Sequence, residues 1–120
     1  MRRSLTKQER LGRGPELTRL FSEGRKTSAP GLRLVMRPSG LGRSRIAVVN
    51  ARGYTRAVDR NRDRRIAREA WRTVKHTLPA GRDYAIVLYP GSWGRADRRA
   101  RIDGLLRRAG SGSSSGRIDG

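Results

Sequence analysis

The spacing of apolar residues changes character several times along the chain. In PELTRLFSEG, Leu17, Leu20 and Phe21 recur at helical spacing, Pro15 suits a first helical turn, and Gly24 can end the helix. GLRLVMRP then alternates, with Leu32, Leu34 and Met36 set against Arg33, Val35 and Arg37. This predicts a strand with one apolar and one basic face, ended by Pro38. PSGLGRS is turn chemistry, and RIAVVNA (45–51) is apolar enough to be a buried strand. RGYT is a break, read as a third strand or a loop. From Val58 to His76 the period is helical again, with Ile66, Ala67, Ala70, Trp71 and Val74 on one face and a stop at Pro79, Ala80 and Gly81. DYAIVLYP (83–90) is the clearest strand, GSWG is a turn, and RADRRARIDGLLRRAG predicts a last helix weakened by Gly104.

The predicted order is therefore helix, strand, strand, third strand or loop, long helix, strand, helix. A strand directly after the long helix makes a βαβ element, with helices packed on one sheet. This is a mixed α/β (α+β) chain with a single domain over residues 1–110. Residues 1–14 read as a flexible basic arm, and SGSSSGRIDG reads as a flexible Gly/Ser tail over 111–120. RIDG occurs at 101–104 and again at 117–120, too short to be a structural repeat.

Charge sharpens this picture. Of 120 residues, 29 are Lys or Arg and 10 are Asp or Glu, a net charge of +19. Such a chain repels itself unless it lies against a polyanion, and nucleic acid is the leading partner. Only Lys7, Lys26 and Lys75 are lysine. Arginine grips phosphates bidentately and stacks on bases, which suits RNA; arginine-rich codon usage explains the same bias but not the net charge. There is no cysteine and a single histidine, His76, which excludes disulfides and thiolate metal sites and leaves little for zinc. No apolar run approaches the roughly 20 residues of a membrane span. The N-terminus lacks the apolar core of a signal peptide, so a cytoplasmic location is expected.

The charge concentrates on the long helix. Arg60, Arg64, Arg68 and Arg72 stand four apart and form one slowly turning stripe, flanked by Arg65 and Lys75. The helix is expected to bury its Trp71 face and aim these guanidinium groups outward. From Tyr54 to Lys75 eight basic residues face three acids, Asp59, Asp63 and Glu69, a net of +5. Asp59 and Asp63 fall in the first turns, where the helix dipole favours negative charge, and Asp59 stands at or near the N-cap. Glu69 is placed to pair with Arg65 or Arg72, and His76 to satisfy the last carbonyls.

The stretch RNRDRRIARE (60–69) resembles the RNR signature of the bacterial ribonuclease P protein family. That signature reads Arg-Asn-Arg, one variable residue, Lys or Arg, Arg, two more residues, then Arg-Glu. Arg60, Asn61, Arg62, Arg64, Arg65, Arg68 and Glu69 match it, and Asp63 occupies the variable position. LTKQERLGRGPELTRLFSEGRK, with its F-x-x-G ending, RIAVVNARGYTRAVDRNR and LPAGRDYAIVLYPG are also similar to the family, so the resemblance covers about residues 5–94.

The resemblance implies a two-layer sandwich with a central sheet of about four strands, a long Arg-rich helix and an unusual left-handed βαβ crossover, similar to a ribosomal-protein domain. It implies a protein subunit, monomeric in a 1:1 complex, that binds the catalytic ribonuclease P RNA and precursor tRNA. It promotes endonucleolytic removal of the 5′ leader with Mg²⁺ held mainly by the RNA, which supplies the catalytic centre. Arg60, Asn61, Arg62, Arg64, Arg65, Arg68 and Arg72 are the expected RNA contacts. Leu17, Phe21, Arg33, Arg52 and Arg56 are weaker candidates for a leader cleft. Of the family's cleft aromatics only Phe21 keeps a ring, so arginine and apolar contact replace stacking. Before the signature, Ala51-Arg52 and Thr55-Arg56 stand where relatives often carry Lys-Lys and Gly-Asn.

The residues support this division of labour by themselves. No Ser/His/Asp or Cys/His set is available, and the scattered acids form no metal cluster, so no catalytic or metal-ligating residue is assigned. Competing readings are a structural, ribosomal-type RNA-binding protein, a basic DNA-binding module without helix-turn-helix or zinc-finger pattern, and an anionic-membrane binder short of large apolar residues.

Overall fold

In the computed structural model, which describes residues 10–12, 14–40, 42–78, 80–91 and 94–111, Pro15 occupies the first turn of helix α1 (Pro15–Glu23), and Gly24 ends it. Strands β1 (Arg25–Ala29), β2 (Leu32–Pro38) and β3 (Arg45–Asn50) follow. Helix α2 (Ala57–Val74), a 3₁₀ turn (Lys75–Thr77), strand β4 (Arg82–Leu88) and helix α3 (Arg95–Ser111) complete the chain. The sheet order is β1-β2-β4-β3. β2 pairs antiparallel with β1 and β4, whereas β3 and β4 pair in parallel through the α2 crossover. This is the expected βαβ unit.

Cross-strand partners share a face of a sheet. Leu34, Ile86 and Val48 lie side by side on one face. α2 covers that face with Ile66, Ala70, Trp71 and Val74, and α3 with Ile102 and Leu106. The Trp71 and Tyr84 rings meet at 5.4 Å with a 59° tilt, a favoured aromatic arrangement. On the opposite face Val35, Ala85 and Ala47 form a row of mostly small residues. α1 lies on this row through Leu17 and Leu20, joined by Leu11. Gly24 makes this close approach possible: a Cβ there would stand 2.6 Å from both the Leu20 carbonyl oxygen and Val35 Cγ1. That is the physical reason for the glycine in F-x-x-G.

Three details differ from the sequence reading, and one open alternative is settled. β1 is a strand although its residues, RKTSA, carry no alternating apolar pattern. It forms because Pro30 and Gly31 make a tight turn back onto it, with Gly31 at φ 76° as a type II turn needs. The stretch RGYT is loop, the second of its two expected alternatives. Val35, placed on a basic face by alternation, is fully buried because α1 covers that side too. The arm is seated at its end: the Leu11 N–H donates to the Ile46 carbonyl at 2.9 Å, and Leu11 is buried. Residues 1–9 of the arm and residues 112–120 of the tail lie outside the described residues. Gly104 sits within α3 without interrupting it.

Candidate nucleic-acid interface

A four-residue step overshoots a helical turn by about 40°, so a stripe with that step drifts across the helix surface. The arginine row on α2 shows this drift. Arg60 and Arg72 are exposed, while Arg64 and Arg68 are half-buried at the outer edge of β3. Arg64 Nη1 donates to the Val48 carbonyl at 2.8 Å and to Asn50 Oδ1 at 3.4 Å. The row therefore does not aim outward as a whole; its middle is turned toward the sheet edge. Asn61 and Arg65 are exposed beside it, and Arg62 is half-buried with Nη2 3.7 Å from Asp63 Oδ1.

Arg64 and Arg68 wall a groove of about 460 Å³ at the β3 edge. Its floor includes Leu17, Ala47 and Val49, and Arg10 stands on its rim. Among the leader-cleft candidates the structure brings Leu17 into this groove, although most of its surface is committed to the core. Phe21 is half-buried against the same small cluster. Arg33 is exposed on the α1 side of the sheet, in a row with Ser28, Val87 and Val49 beyond the centre of the α1 contact. Arg52 and Arg56 are exposed on the loop of residues 51–56, and Arg56 Nε lies 3.3 Å from Asp59. Of the candidates, Leu17 thus lies in the groove, Phe21 packs beside it in the small cluster, Arg52 and Arg56 stand on the loop, and Arg33 lies farther along the same sheet face. Arg10 was not among them; its place before a buried Leu11 has no signature in sequence.

The acids of α2 take other partners than those expected. Glu69 faces Arg95 and Arg99 of α3, each at 3.8 Å, not Arg65 or Arg72. The N-cap is Arg56, without a side-chain cap, and Asp59 lies near it in the first turn. Asp63 is buried, and its Oδ2 accepts from Arg98 Nη2 at 3.0 Å and from the Tyr54 hydroxyl at 2.6 Å. Burial and the Asp63 hydrogen bond push the Tyr54 phenol up to about 12. A signal for Asp63 existed: it lies three and four residues before Ile66 and Ala67, in phase with the apolar face. At the other end, the Thr77 hydroxyl rather than His76 donates to the Val74 carbonyl. Asp83, also buried, receives both Nε and Nη2 of Arg45 at 2.9 and 2.8 Å, which raises the Arg45 guanidinium above its usual range.

Among the described residues no group of three or more His, Cys, Asp or Glu side chains is placed to hold a metal ion. No helix there is long and apolar enough to cross a membrane. The arrangement offers a cationic wall, an apolar floor and a basic loop, which together suit a flexible polyanion.

The sequence pattern of the family described as Ribonuclease P matches residues 5–110. The chain is 34% identical over 89 residues to the ribonuclease P protein component of Photorhabdus laumondii, with 73% of each chain covered. It is 31% identical over 87 residues to that of Thermotoga maritima, covering 72% of this chain and 74% of the relative. The solved RNase P protein from Thermotoga maritima superposes with a TM-score of 0.73 at 25% identity, over 83% of this chain and 96% of that one. The RNase P protein of Staphylococcus aureus shares the fold, with a TM-score of 0.65 at 15% identity over 83% and 90% of the two chains.

Proposed function

The chain belongs to the ribonuclease P protein family, and on that basis we propose that α2 grips the ribonuclease P RNA while the adjoining groove receives the 5′ leader of precursor tRNA. Family membership makes it a protein component of the tRNA-processing ribonucleoprotein, part of an endoribonuclease holoenzyme with an RNA partner. The finer reading concerns which residues do what. Arg60, Arg65 and Arg72, exposed on α2, contact phosphates of the RNA, with Asn61 and Arg62 beside them. Arg64, Arg68 and Arg10 draw the leader along the groove, and Leu17 and Val49 give its bases an apolar floor. Phe21 and Arg33 extend this surface across the sheet.

Among the described residues the two buried carboxylates, Asp63 and Asp83, are engaged by Arg98 and Arg45, so neither fits a Mg²⁺ site. In this reading the RNA holds Mg²⁺ and the catalytic centre. The protein neutralises charge where substrate and RNA meet, as one copy per RNA in the cytoplasm.

The observation that carries the proposal is the placement of the signature arginines along one groove and the adjoining helix surface. The test is cleavage of a precursor tRNA by a bacterial ribonuclease P RNA at low Mg²⁺, with and without the protein. The wild type is expected to restore cleavage at the mature 5′ end, and a folded Arg60→Ala/Arg65→Ala/Arg72→Ala variant to fail. Binding of that RNA without any stimulation would favour a structural RNA-binding role instead.

A further inference from the structure

Among the described residues Arg98 is the most buried charged one, with no exposed surface. Its Nη1 donates to the Gly31 carbonyl at 3.1 Å, in the turn between β1 and β2. Its Nη2 reaches the Tyr89 carbonyl at 2.7 Å, the Asp63 carboxylate at 3.0 Å and the Tyr54 oxygen at 3.1 Å. One guanidinium thus ties together the β1–β2 turn, the end of β4, the loop of residues 51–56, α2 and α3. Asp63 stands at the variable position of the RNR signature, and Tyr54 and Arg98 lie outside it. A buried ion pair is seldom the cheapest way to fill a core, since apolar residues of the same volume stabilise as well or better. What it adds is a defined geometry.

The loop needs one. Ala51 is held where its N–H donates to the Leu88 carbonyl at 2.8 Å. Gly53 turns the chain at φ 111°, within close reach of Pro90. α2 then starts at Ala57, and its N-cap, Arg56, makes no side-chain capping bond to set its entry. The hydroxyl of Tyr54, at the centre of this loop, reaches back to Asp63 nearly two turns into the helix. Arg52 and Arg56 flank Tyr54 and are exposed, Arg56 with its Nε 3.3 Å from Asp59.

We propose that the Arg98–Asp63–Tyr54 cluster is a positioning device for RNA recognition, which fixes the loop of residues 51–56 so that Arg52 and Arg56 meet the RNA in register with the α2 arginines. The proposal rests on the RNA-binding reading above and assigns it a specific buried support. Holding two arginines in place before contact lowers the ordering cost of binding. Tyr54→Phe removes only the hydroxyl and leaves the Arg98–Asp63 pair in place, so the fold survives while the loop loses its anchor.

A double-mutant cycle with full-length protein and a bacterial ribonuclease P RNA tests this. Tyr54→Phe should weaken binding by about threefold or more, and Arg52→Ala/Arg56→Ala by a larger factor with a shallower salt dependence. In the Arg52→Ala/Arg56→Ala background, Tyr54→Phe should add nothing, because it acts through those two arginines. Multiplicative effects would overturn the proposal and leave Tyr54 a merely structural residue. Amide hydrogen exchange of the free protein gives an independent readout: Tyr54→Phe should speed exchange in residues 51–56 and spare β4, and unchanged loop exchange also overturns the idea. If Arg52→Ala/Arg56→Ala binds like wild type while Arg60→Ala/Arg65→Ala/Arg72→Ala does not, the loop does not contact the ribonuclease P RNA and only this inference falls. If both bind like wild type, the RNA-binding reading falls with it.

Discussion

Arg64 Nη1 lies 2.8 Å from the carbonyl oxygen of Val48. β3 is an edge strand, and an open edge invites pairing with another chain. Two of its carbonyls, at Ile46 and Val48, are satisfied from outside the sheet, one by the Leu11 N–H and the other by Arg64. A signature arginine is therefore also a piece of the fold, and its neighbours on α2 are not equivalent to it.

This makes Arg64 and Arg65 separable. Arg64→Ala should lower stability in urea by about 1–2 kcal/mol, since it strips a charged donor from a carbonyl, and should weaken RNA binding as well. Arg65→Ala, at an exposed position, should leave stability within about 0.5 kcal/mol of wild type. It should still flatten the log–log salt dependence of RNA affinity by roughly one unit. Equal urea midpoints for the two variants would contradict the edge role of Arg64.

The Asp63–Arg98 pair should respond asymmetrically. Removing one partner, as in Asp63→Asn or Arg98→Met, strands a buried polar or charged group and should cost about 3–5 kcal/mol in urea melts. Replacing both at once, Asp63→Leu/Arg98→Met, should recover a large part of that loss. If the double variant is as unstable as the sum of the single ones, the two residues do not act as a pair.

Two glycines should behave oppositely when replaced by alanine. Gly24→Ala drives a methyl into the Leu20 carbonyl and the Val35 side chain, lifting α1 from the sheet at a cost of about 1–3 kcal/mol. Gly104→Ala meets nothing within 4 Å inside α3 and should stabilise by roughly 0.5–1 kcal/mol through helix propensity. Differential scanning calorimetry of both variants checks the pair of signs.

Alkaline pH should weaken the fold through Tyr54. Its phenol is raised from 10.0 to about 12 in the folded protein, first by burial and then by the Asp63 hydrogen bond. The unfolded chain releases this proton earlier, so the contribution to stability is complete below pH 10 and declines from there to about pH 12. Tyr84, also raised by burial, adds to the decline. Tyr54→Phe should flatten part of the slope of stability against pH in that window. Ultraviolet titration of the folded wild type should show tyrosine ionisation delayed relative to the urea-unfolded chain.

The long elements were legible because their apolar periods are local. Leu17, Leu20 and Phe21 announced α1, Ile66 to Val74 announced α2, and the run from Tyr84 to Leu88 announced β4. β1 was not, because RKTSA has no pattern of its own and depends on its partner. The signal lay next to it, in Pro30-Gly31, whose turn folds β1 onto β2. The one-sided reading of β2 failed at Val35 because alternation reports two faces but not how many are covered. For the candidate site, the RNR stretch and the charge named the helix, and the groove then divided its arginines.

Residue types and their order, read alone, determined the helices, three of the four strands, the basic character of α2 and the family resemblance that points to ribonuclease P. Each of these is written in spacings of a few residues. Only the tertiary structure decided that Arg64 closes a sheet edge, that Glu69 faces α3, and that Asp63 meets Arg98, which is 35 residues away. The physical reason is that helical periodicity shows which side of α2 turns inward but not what waits there. A buried charge selects its partner by position in space, and that position exists only after the sheet and both helices have packed.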